Sequence, residues 1–264
     1  MLNGRIFDRG HGPAVVVVQG LHGRWEWTRP ALEALSCRCR TISYSLCGDI
    51  GAGVRSDPNQ GFDSYVRQLD AVLDRAGLQQ SAICGVSFGG LVAIRFAATR
   101  PDRVKSLIIA SSPAPGWKPN ARQTRWLSRP WVSTPEFVMS APLRIWPEVH
   151  SALPTLGSRL GFFVRQGVRA ASAPMIPSLM ADRIHQSQQL DFAPDCAQIR
   201  VPTLVVTGEE ALDRVVPVSS TRSFCSLIPG ARCEVLDRTG HLGVLTQPSR
   251  FAELVGNFVH AHDH

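Results

Sequence analysis

The chain has 264 residues, of which 44% are apolar and 19% are charged, a composition typical of a folded globular protein. This length suits one doubly wound domain with an inserted subdomain. No apolar run approaches the ~20 residues of a membrane helix, and the N-terminal residues lack the apolar stretch of a signal peptide, so neither a membrane segment nor secretion is expected.

The net charge of +7 raises the question of an acidic partner. The arginines are dispersed and no nucleic-acid-binding motif accompanies them, which argues against nucleic acid. A solvated surface accounts for the charge, and a cationic rim that attracts carboxylate-bearing substrates or anionic lipid surfaces is left open. The seven cysteines include no C-x-x-C pair and the histidines have no metal-ligand spacing, so the sequence predicts reduced thiols, a cytoplasmic protein and no metal site.

The first long apolar run, residues 14–18, predicts a buried strand that leads into the loop of residues 19–23. A second run, residues 81–84, is followed at once by the G-x-S-x-G string of residues 85–89, with Ser87 at its centre. A serine between a strand and a helix lies on a sharp turn that needs flanking glycines and that exposes its hydroxyl. A helix to about residue 98 and a buried strand over residues 104–110 complete a βαβ unit.

Residues 113–195 separate this unit from the next predicted strand and are interpreted as a mostly helical insertion. Four of the six tryptophans lie there, and residues 158–171 carry apolar side chains at helical spacing. We interpret most of the aromatic side chains as the core of the insertion, while others could line an apolar acyl pocket. The tryptophans are Trp117, Trp126, Trp131 and Trp146, and the apolar side chains at helical spacing include Leu160, Phe163, Val164 and Val168.

Two more strands follow, and each precedes a residue that can ionise. Residues 201–208 predict a buried strand before a loop that contains Asp213, and residues 233–237 predict a strand before His241. Both residues therefore come at the carboxyl end of a strand, where open α/β sheets bind their ligands.

These positions have the types and the order that nucleophilic catalysis requires. A serine hydroxyl needs a base to take its proton, and that base needs an acid to fix its tautomer. After a serine on such a turn, the expected order along the chain is Ser, Asp or Glu, then His. Asp213 is the predicted acid; Glu209 and Glu210 remain alternatives, and Asp237 is a weaker one because it is close to His241 in sequence.

From residue 15 to about residue 259 the chain resembles the α/β-hydrolase superfamily, in its esterase and lactonase-like branch. The G-x-S-x-G string, the Asp-x-Val-Val-Pro string from Asp213 and the Gly-His pair at residues 240–241 carry the resemblance. It implies an α/β fold with a doubly wound, mostly parallel sheet and a helical cap inserted after the sixth strand. The implied domains are a core of residues 1–112 and 196–264 and a cap of residues 113–195.

The resemblance also implies the roles of the site residues. Ser87 is expected to be the nucleophile, His241 the general base and Asp213 the acid that orients it. The backbone N–H groups of Phe88 and Leu21 are expected to form the oxyanion hole.

The loop of residues 19–23 departs from the family pattern. Relatives carry His-Gly-x-x-Gly there, whereas this chain has Gln19 in the position of the histidine. The substitution leaves open what hydrogen bonds support the loop. His22 is interpreted as a loop histidine, with a position at the mouth of the pocket as the alternative.

The sequence therefore predicts a serine hydrolase that cleaves carboxylic esters or lactones through an acyl-enzyme, with no cofactor and no metal. A serine at this position disfavours haloalkane dehalogenases and epoxide hydrolases of this fold, which use an aspartate. The alternatives are C–C bond hydrolysis of a dienoic acid, acyl transfer with the same three residues, and a ligand-binding receptor with slow turnover. The expected partner is a small-molecule ester or lactone, and a homodimer is left open.

Overall fold

The computed structural model describes residues 4–263, whose seven strands form one sheet in the order β1-β3-β2-β4-β5-β6-β7. β1 is antiparallel to β3, and every other pair is parallel. The mostly parallel α/β fold predicted from the sequence is confirmed. The strands are β1 (Ile6–Arg9), β2 (Ala14–Val18), β3 (Arg40–Tyr44), β4 (Ser81–Val86), β5 (Val104–Ala110), β6 (Thr203–Thr207) and β7 (Arg232–Val235).

Helices connect the strands and cover both faces of the sheet. The α-helices of residues 4–263 are α1 (Arg29–Ser36), α2 (Asp63–Arg75), α3 (Phe88–Thr99), α4 (Ala121–Ser128), α5 (Pro130–Met139), α6 (Ala141–Ala152), α7 (Leu156–Ser172), α8 (Pro177–Gln188), α9 (Ala193–Gln198), α10 (Val218–Arg222), α11 (Phe224–Leu227), α12 (Gly243–Thr246) and α13 (Pro248–Ala261).

The apolar strands separate two cores, one on each face of the sheet. Side chains alternate along a strand, so Val15 and Val17 of β2 pack with α1 and α13, whereas Val16 and Val18 pack with α2 and α3. All four valines are buried. Burial on both faces explains why the strands read as continuous apolar runs in the sequence.

The segment between β5 and β6, residues 111–202, is called the insertion below. It contains α4 to α8, and its last helix, α9, returns to the core beside α3 through the buried Cys196. The resemblance implied an insertion after the sixth strand, but the insertion follows the fifth strand of the described chain. Only β1 to β3 precede the strand of the G-x-S-x-G turn, because the chain reaches β4 from β3 through α2 without a further strand.

The insertion buries fewer of its aromatic side chains than the sequence predicted, and Trp146 is among those exposed. Trp126 is buried, but Trp131, Leu160, Val164 and Val168 are exposed. The helical spacing of residues 158–171 is real, since α7 spans them. Spacing identifies a stripe on a helix but not the side that neighbours cover, and α7 buries Phe162 instead.

The expectation that all cysteines are reduced thiols is wrong for one pair. Cys225 of α11 and Cys233 of β7 form a disulfide, because the chain turns back within eight residues and brings them together. The remaining five cysteines are thiols. Among residues 4–263, no helix combines the length and the apolar character needed to cross a bilayer.

Candidate active site

Ser87 occupies the sharp turn between β4 and α3 that the G-x-S-x-G string predicted. Its backbone has φ 52° and ψ −120°, a conformation that residues other than glycine rarely adopt. The turn brings backbones so close that a Cβ at Gly85 would collide with the Gly89 carbonyl, and one at Gly89 would collide with the Val18 carbonyl. The two glycines therefore permit the strained turn that exposes the serine hydroxyl.

His241 and Asp213 join Ser87 in one chain of hydrogen bonds. His241 Nε2 lies 3.1 Å from Ser87 Oγ, and His241 Nδ1 lies 3.3 Å from Asp213 Oδ2. The other carboxylate oxygen, Oδ1, accepts hydrogen bonds from the N–H groups of Val215 and Val216 at 2.9 and 3.0 Å. These two bonds fix the carboxylate, so Nδ1 of His241 carries the proton and Nε2 can accept the proton of Ser87.

The electrostatics of this pair favour a protonated histidine beside a carboxylate. Burial by itself lowers the pKa of His241, but the charge and hydrogen bond of Asp213 act in the opposite sense and raise the pKa above its ordinary value. For Asp213, burial acts to raise the pKa, yet the charge and hydrogen bond of His241 and the two backbone donors lower it. Such a pair can accept the proton of a serine and return it.

The alternative acids do not contact His241. Glu209 accepts a hydrogen bond from the Arg238 N–H at 2.6 Å, in the turn that precedes His241. Neither Glu210 nor Asp237 forms a hydrogen bond or ion pair with the ring. Of the four carboxylates that the sequence offered, Asp213 alone is bonded to His241 within the described chain.

Within residues 4–263, the two backbone N–H groups predicted for the oxyanion hole donate to no other group. Phe88 is the first residue of α3, where N–H groups have no acceptor within the helix and the helix dipole favours negative charge. Leu21 lies in the loop after β2, and its N–H donates to no group of residues 4–263. Both residues line the cavity that contains Ser87.

The side chain of Gln19 provides the hydrogen bonds that support the loop of residues 19–23. Its side chain is fully buried, donates from Nε2 to Ser43 Oγ at 2.6 Å, and accepts from Thr28 Oγ1 at 2.7 Å. Ser43 in turn donates to the Val17 carbonyl. An amide with both a donor and an acceptor thus fills the position of the family histidine without an unsatisfied polar atom.

His22 lines the cavity, in agreement with the alternative prediction of a position at the pocket. Its Nδ1 accepts the N–H of Arg24 at 3.2 Å. Burial, followed by the charge of Arg183, lowers the pKa of His22 to about 3. The ring is therefore neutral at neutral pH with its proton on Nε2.

Arg183 ties the insertion to the loop after β2. Its guanidinium is fully buried, forms an ion pair with the buried carboxylate of Asp49, and donates from Nη1 to the Leu21 carbonyl at 2.9 Å. Gly23, with φ 73°, leaves the space for this pair, since a Cβ there would collide with Asp49. Arg183 thereby fixes the carbonyl of the residue whose N–H was predicted as an oxyanion donor.

Glu148 of α6 is a second link, on the side of His241. Its carboxylate is buried and accepts hydrogen bonds from the Leu242 N–H and the Thr246 hydroxyl, both at 3.0 Å. Burial raises the pKa of Glu148, and its negative charge adds to that of Asp213 in raising the pKa of His241. The insertion therefore holds the segment that carries His241.

A cavity of about 370 Å³ opens over Ser87 and His241, between the sheet and the insertion. Its walls are mostly apolar and include side chains from both parts of the chain. Three arginines also line it, Arg122, Arg144 and Arg214. The apolar residues include Leu21, Phe88, Trp126, Phe137, Met180 and Leu245.

Arg122 and Arg144 lie near each other, and neither has a carboxylate partner among residues 4–263. Arg144 donates to Ser140 and to the Phe137 carbonyl, and its guanidinium lies 4.3 Å from the centre of the Phe137 ring. Burial and the charge of Arg122 lower the pKa of Arg144. The cavity can therefore receive an apolar group together with a negative charge.

No pattern in the sequence predicted that Glu148, Arg183 and Asp49 support the site. Each of them contacts a residue at least 94 positions away in the sequence. No local sequence pattern therefore indicates these contacts. Their role is indicated by the burial of their charged side chains, and burial cannot be read from a single sequence.

Comparison with known proteins identifies the family of this chain. The model of the alpha/beta hydrolase family matches residues 11–254. The chain is 29% identical to the 2-hydroxymuconate semialdehyde hydrolase of Pseudomonas putida, with 96% of this chain and 89% of the relative covered. It is 27% identical to a protein named as the carbamate hydrolase RutD of Azorhizobium caulinodans, with 94% and 92% covered.

The fold matches solved structures over its whole length. A thermophilic esterase from Thermogutta terrifontis superposes with a TM-score of 0.81 at 21% identity, covering 100% of this chain and 98% of the esterase. At that identity the likeness concerns the fold alone. The family match spans nearly the whole chain and includes Ser87, Asp213 and His241, and this chain therefore belongs to the alpha/beta hydrolase family.

Proposed function

We propose that this protein is a serine hydrolase that cleaves carboxylic esters or lactones, with Ser87 as nucleophile, His241 as general base and Asp213 as the orienting acid. The observation that carries the proposal is the hydrogen-bonded chain from Ser87 Oγ through His241 to Asp213, which opens on a largely apolar cavity. In this proposal the helices of the insertion act as a cap that shapes the cavity.

The reaction proceeds in two steps. His241 Nε2 takes the proton of Ser87 as Oγ attacks the acyl carbon, and the N–H groups of Leu21 and Phe88 hold the oxyanion that forms. The ester C–O bond then breaks, and His241 gives its proton to the leaving alcohol oxygen. In the second step His241 deprotonates water, which attacks the acyl carbon; the bond from that carbon to Ser87 Oγ breaks, His241 returns its proton to Oγ, and the carboxylic acid leaves.

Hydrolysis of p-nitrophenyl esters from acetate to dodecanoate tests the proposal. Wild type is expected to prefer one chain length, and Ser87→Ala to lose several orders of magnitude in kcat. Ser187→Ala is the matched control, because Ser187 lines the same cavity but donates to the Ile184 carbonyl. Retention of a tenth of the wild-type activity by Ser87→Ala would refute the role of Ser87.

A second candidate function is hydrolysis of a C–C bond in a dienoic acid. The arginine pair favours it, because Arg122 and Arg144 can bind the carboxylate that such a substrate carries. The relative from Pseudomonas putida is named for such a substrate. The test is the loss of 2-hydroxymuconate semialdehyde absorbance: turnover that exceeds ester hydrolysis and falls at least tenfold in Arg144→Gln would favour this function.

A further inference from the structure

The exposed face of α7 carries an uninterrupted apolar stripe. Leu156, Leu160, Val164 and Val168 follow one another at intervals of four residues, and between 59% and 74% of each residue is exposed. At about 100° per residue they lie opposite Phe162, the residue that α7 buries. Large apolar side chains scattered singly on a surface are ordinary, but a contiguous stripe marks an interaction site.

The stripe continues onto the neighbouring helices. Trp146 of α6 stacks on Phe163 of α7, with ring centres 6.3 Å apart and planes 14° from parallel. Leu143, one turn before Trp146, is 80% exposed. At the end of α5, Met139 is exposed while Phe137 lines the cavity, so one helix contributes to both surfaces. The exposed apolar side chains of α5, α6 and α7 form the apolar face named below, and of these three helices α5 and α6 also contribute residues to the cavity.

Positive charge accompanies this face. Residues 121–172 contain seven arginines and two glutamates; Arg122 and Arg144 line the cavity, and the other five arginines lie outside it. One of those glutamates, Glu148, is buried against the segment of His241. On α7 itself there is no acidic residue, and Arg159 and Arg165 lie on either side of the stripe at about 100° per residue.

The charge decides which partner fits. A second copy of this chain would bring one arginine-rich face against another, and like charges across an interface cost several kcal/mol. An anionic surface pairs with the arginines, while the apolar stripe enters the boundary between headgroups and acyl chains. Helices with this combination of arginines, leucines and aromatic residues lie in the plane of the membrane interface.

We propose that the apolar face of α5, α6 and α7 docks on an anionic lipid surface. The arginines attract the headgroups, and the stripe from Leu156 to Val168 inserts. The inference is independent of the proposed function, since none of the stripe residues lines the cavity.

Flotation of the purified protein with phosphatidylcholine vesicles, with and without phosphatidylglycerol, tests the proposal. Wild type is expected to float with the phosphatidylglycerol vesicles and to be released at high salt. Arg159/Arg165→Gln, at the two arginines on either side of the stripe, is expected to weaken binding about 25-fold, from roughly fivefold for each arginine near the surface. A variant with serine at the four stripe positions, Leu156, Leu160, Val164 and Val168, is expected to lose vesicle binding as well. Ile50→Ser is the matched control, because Ile50 is exposed outside the insertion.

The cleavage of a soluble p-nitrophenyl ester, or the unfolding transition, reports whether each variant is folded. Failure of wild type to float with anionic vesicles overturns the proposal. Binding that the arginine variant loses and the stripe variant keeps also overturns it, since adsorption by charge alone would explain that result. Light scattering gives the mass in solution: a dimer that the stripe variant abolishes assigns the face to self-association instead.

Discussion

Two histidines line the cavity that contains Ser87, and the protein shifts their pKa values in opposite directions. Asp213 raises the pKa of His241 against the effect of burial, whereas burial and Arg183 lower the pKa of His22 to about 3. A base that is to take the proton of a serine benefits from the first environment. A ring that stays neutral, with a donor at Nε2, results from the second.

The pH dependence of ester hydrolysis follows from the first shift. His241 must be neutral to act as a base, so kcat/KM is lost as pH falls through its pKa, and we expect this limb above pH 6.5. Asp213→Asn removes the charge that raises the pKa of His241 most, so the limb should move to lower pH while kcat falls about 10⁴-fold. Glu209→Gln, which alters a carboxylate of the same loop, should leave the limb in place. A limb that stays or rises in Asp213→Asn would contradict the assignment.

The second shift predicts a pH dependence of stability. Folded His22 takes up no proton until about pH 3, whereas the unfolded chain does so near pH 6.5. The unfolded state therefore binds more protons between these values, and the free energy of unfolding decreases as pH falls through that window. His22→Gln should reduce this slope by about 1 kcal/mol per pH unit, measured by urea unfolding between pH 4 and 6. Substitution of the exposed His11 provides the comparison, and equal slopes in wild type and His22→Gln would contradict the prediction.

The sequence predicted those residues whose signal is local. Ser87 follows from a strand, a glycine turn and a helix within one βαβ unit, and Asp213 and His241 follow from their positions after strands. The structure brings all three together. Glu148 and Arg183 could not be predicted, because a charged residue on an amphipathic helix ordinarily faces water and only the tertiary packing of the insertion buries them.

At the scale of elements, α6 contacts the segment that follows His241 through Glu148. Its carboxylate receives the Leu242 N–H at the start of α12 and the Thr246 hydroxyl, so it fixes the short helix that follows His241. α6 also contributes Arg144 and Ile145 to the cavity wall. Movement of this helix would therefore change the cavity and the histidine together.

Glu148→Gln tests this coupling, because glutamine keeps the shape of the side chain and removes its charge. The negative charge of Glu148 raises the pKa of His241, so the acidic limb of kcat/KM should move to lower pH, by less than in Asp213→Asn. Thermal unfolding should change little. Glu136→Gln, the other glutamate of the insertion, is the control. An unchanged limb would show that Glu148 is only structural.

The same elements show where spacing misleads. The helical spacing of residues 158–171 is confirmed by α7, whereas Trp131 and Trp146 are exposed although the sequence predicted a core position for most aromatic residues of the insertion. Amphipathic periodicity gives the direction of an apolar face and does not say whether a neighbour, a second chain or a membrane covers it. In this chain α7 buries Phe162 and exposes the stripe.

At the scale of the whole molecule, the insertion is attached to the core by buried charges on both sides of the cavity. Glu148 contacts the segment after His241, and Arg183 contacts Asp49 and the Leu21 carbonyl. Trp27 adds a hydrogen bond to the Ala173 carbonyl at 2.9 Å. Buried ionic contacts are specific in geometry, because each partner left alone is a charge out of water.

A double-mutant cycle on Arg183 and Asp49 separates what this pair does for stability from what it does for activity. Arg183→Leu or Asp49→Leu alone leaves one buried charge unpaired and should cost about 3–5 kcal/mol in urea unfolding. The double variant removes both charges and should lose much less than the sum of the two. Its kcat on esters should stay low, however, because the Leu21 carbonyl has lost its donor and the loop of the proposed oxyanion hole is no longer held. Additive losses of stability would mean that the two charges are not coupled. Full activity in the double variant would mean that Arg183 anchors the insertion without positioning Leu21.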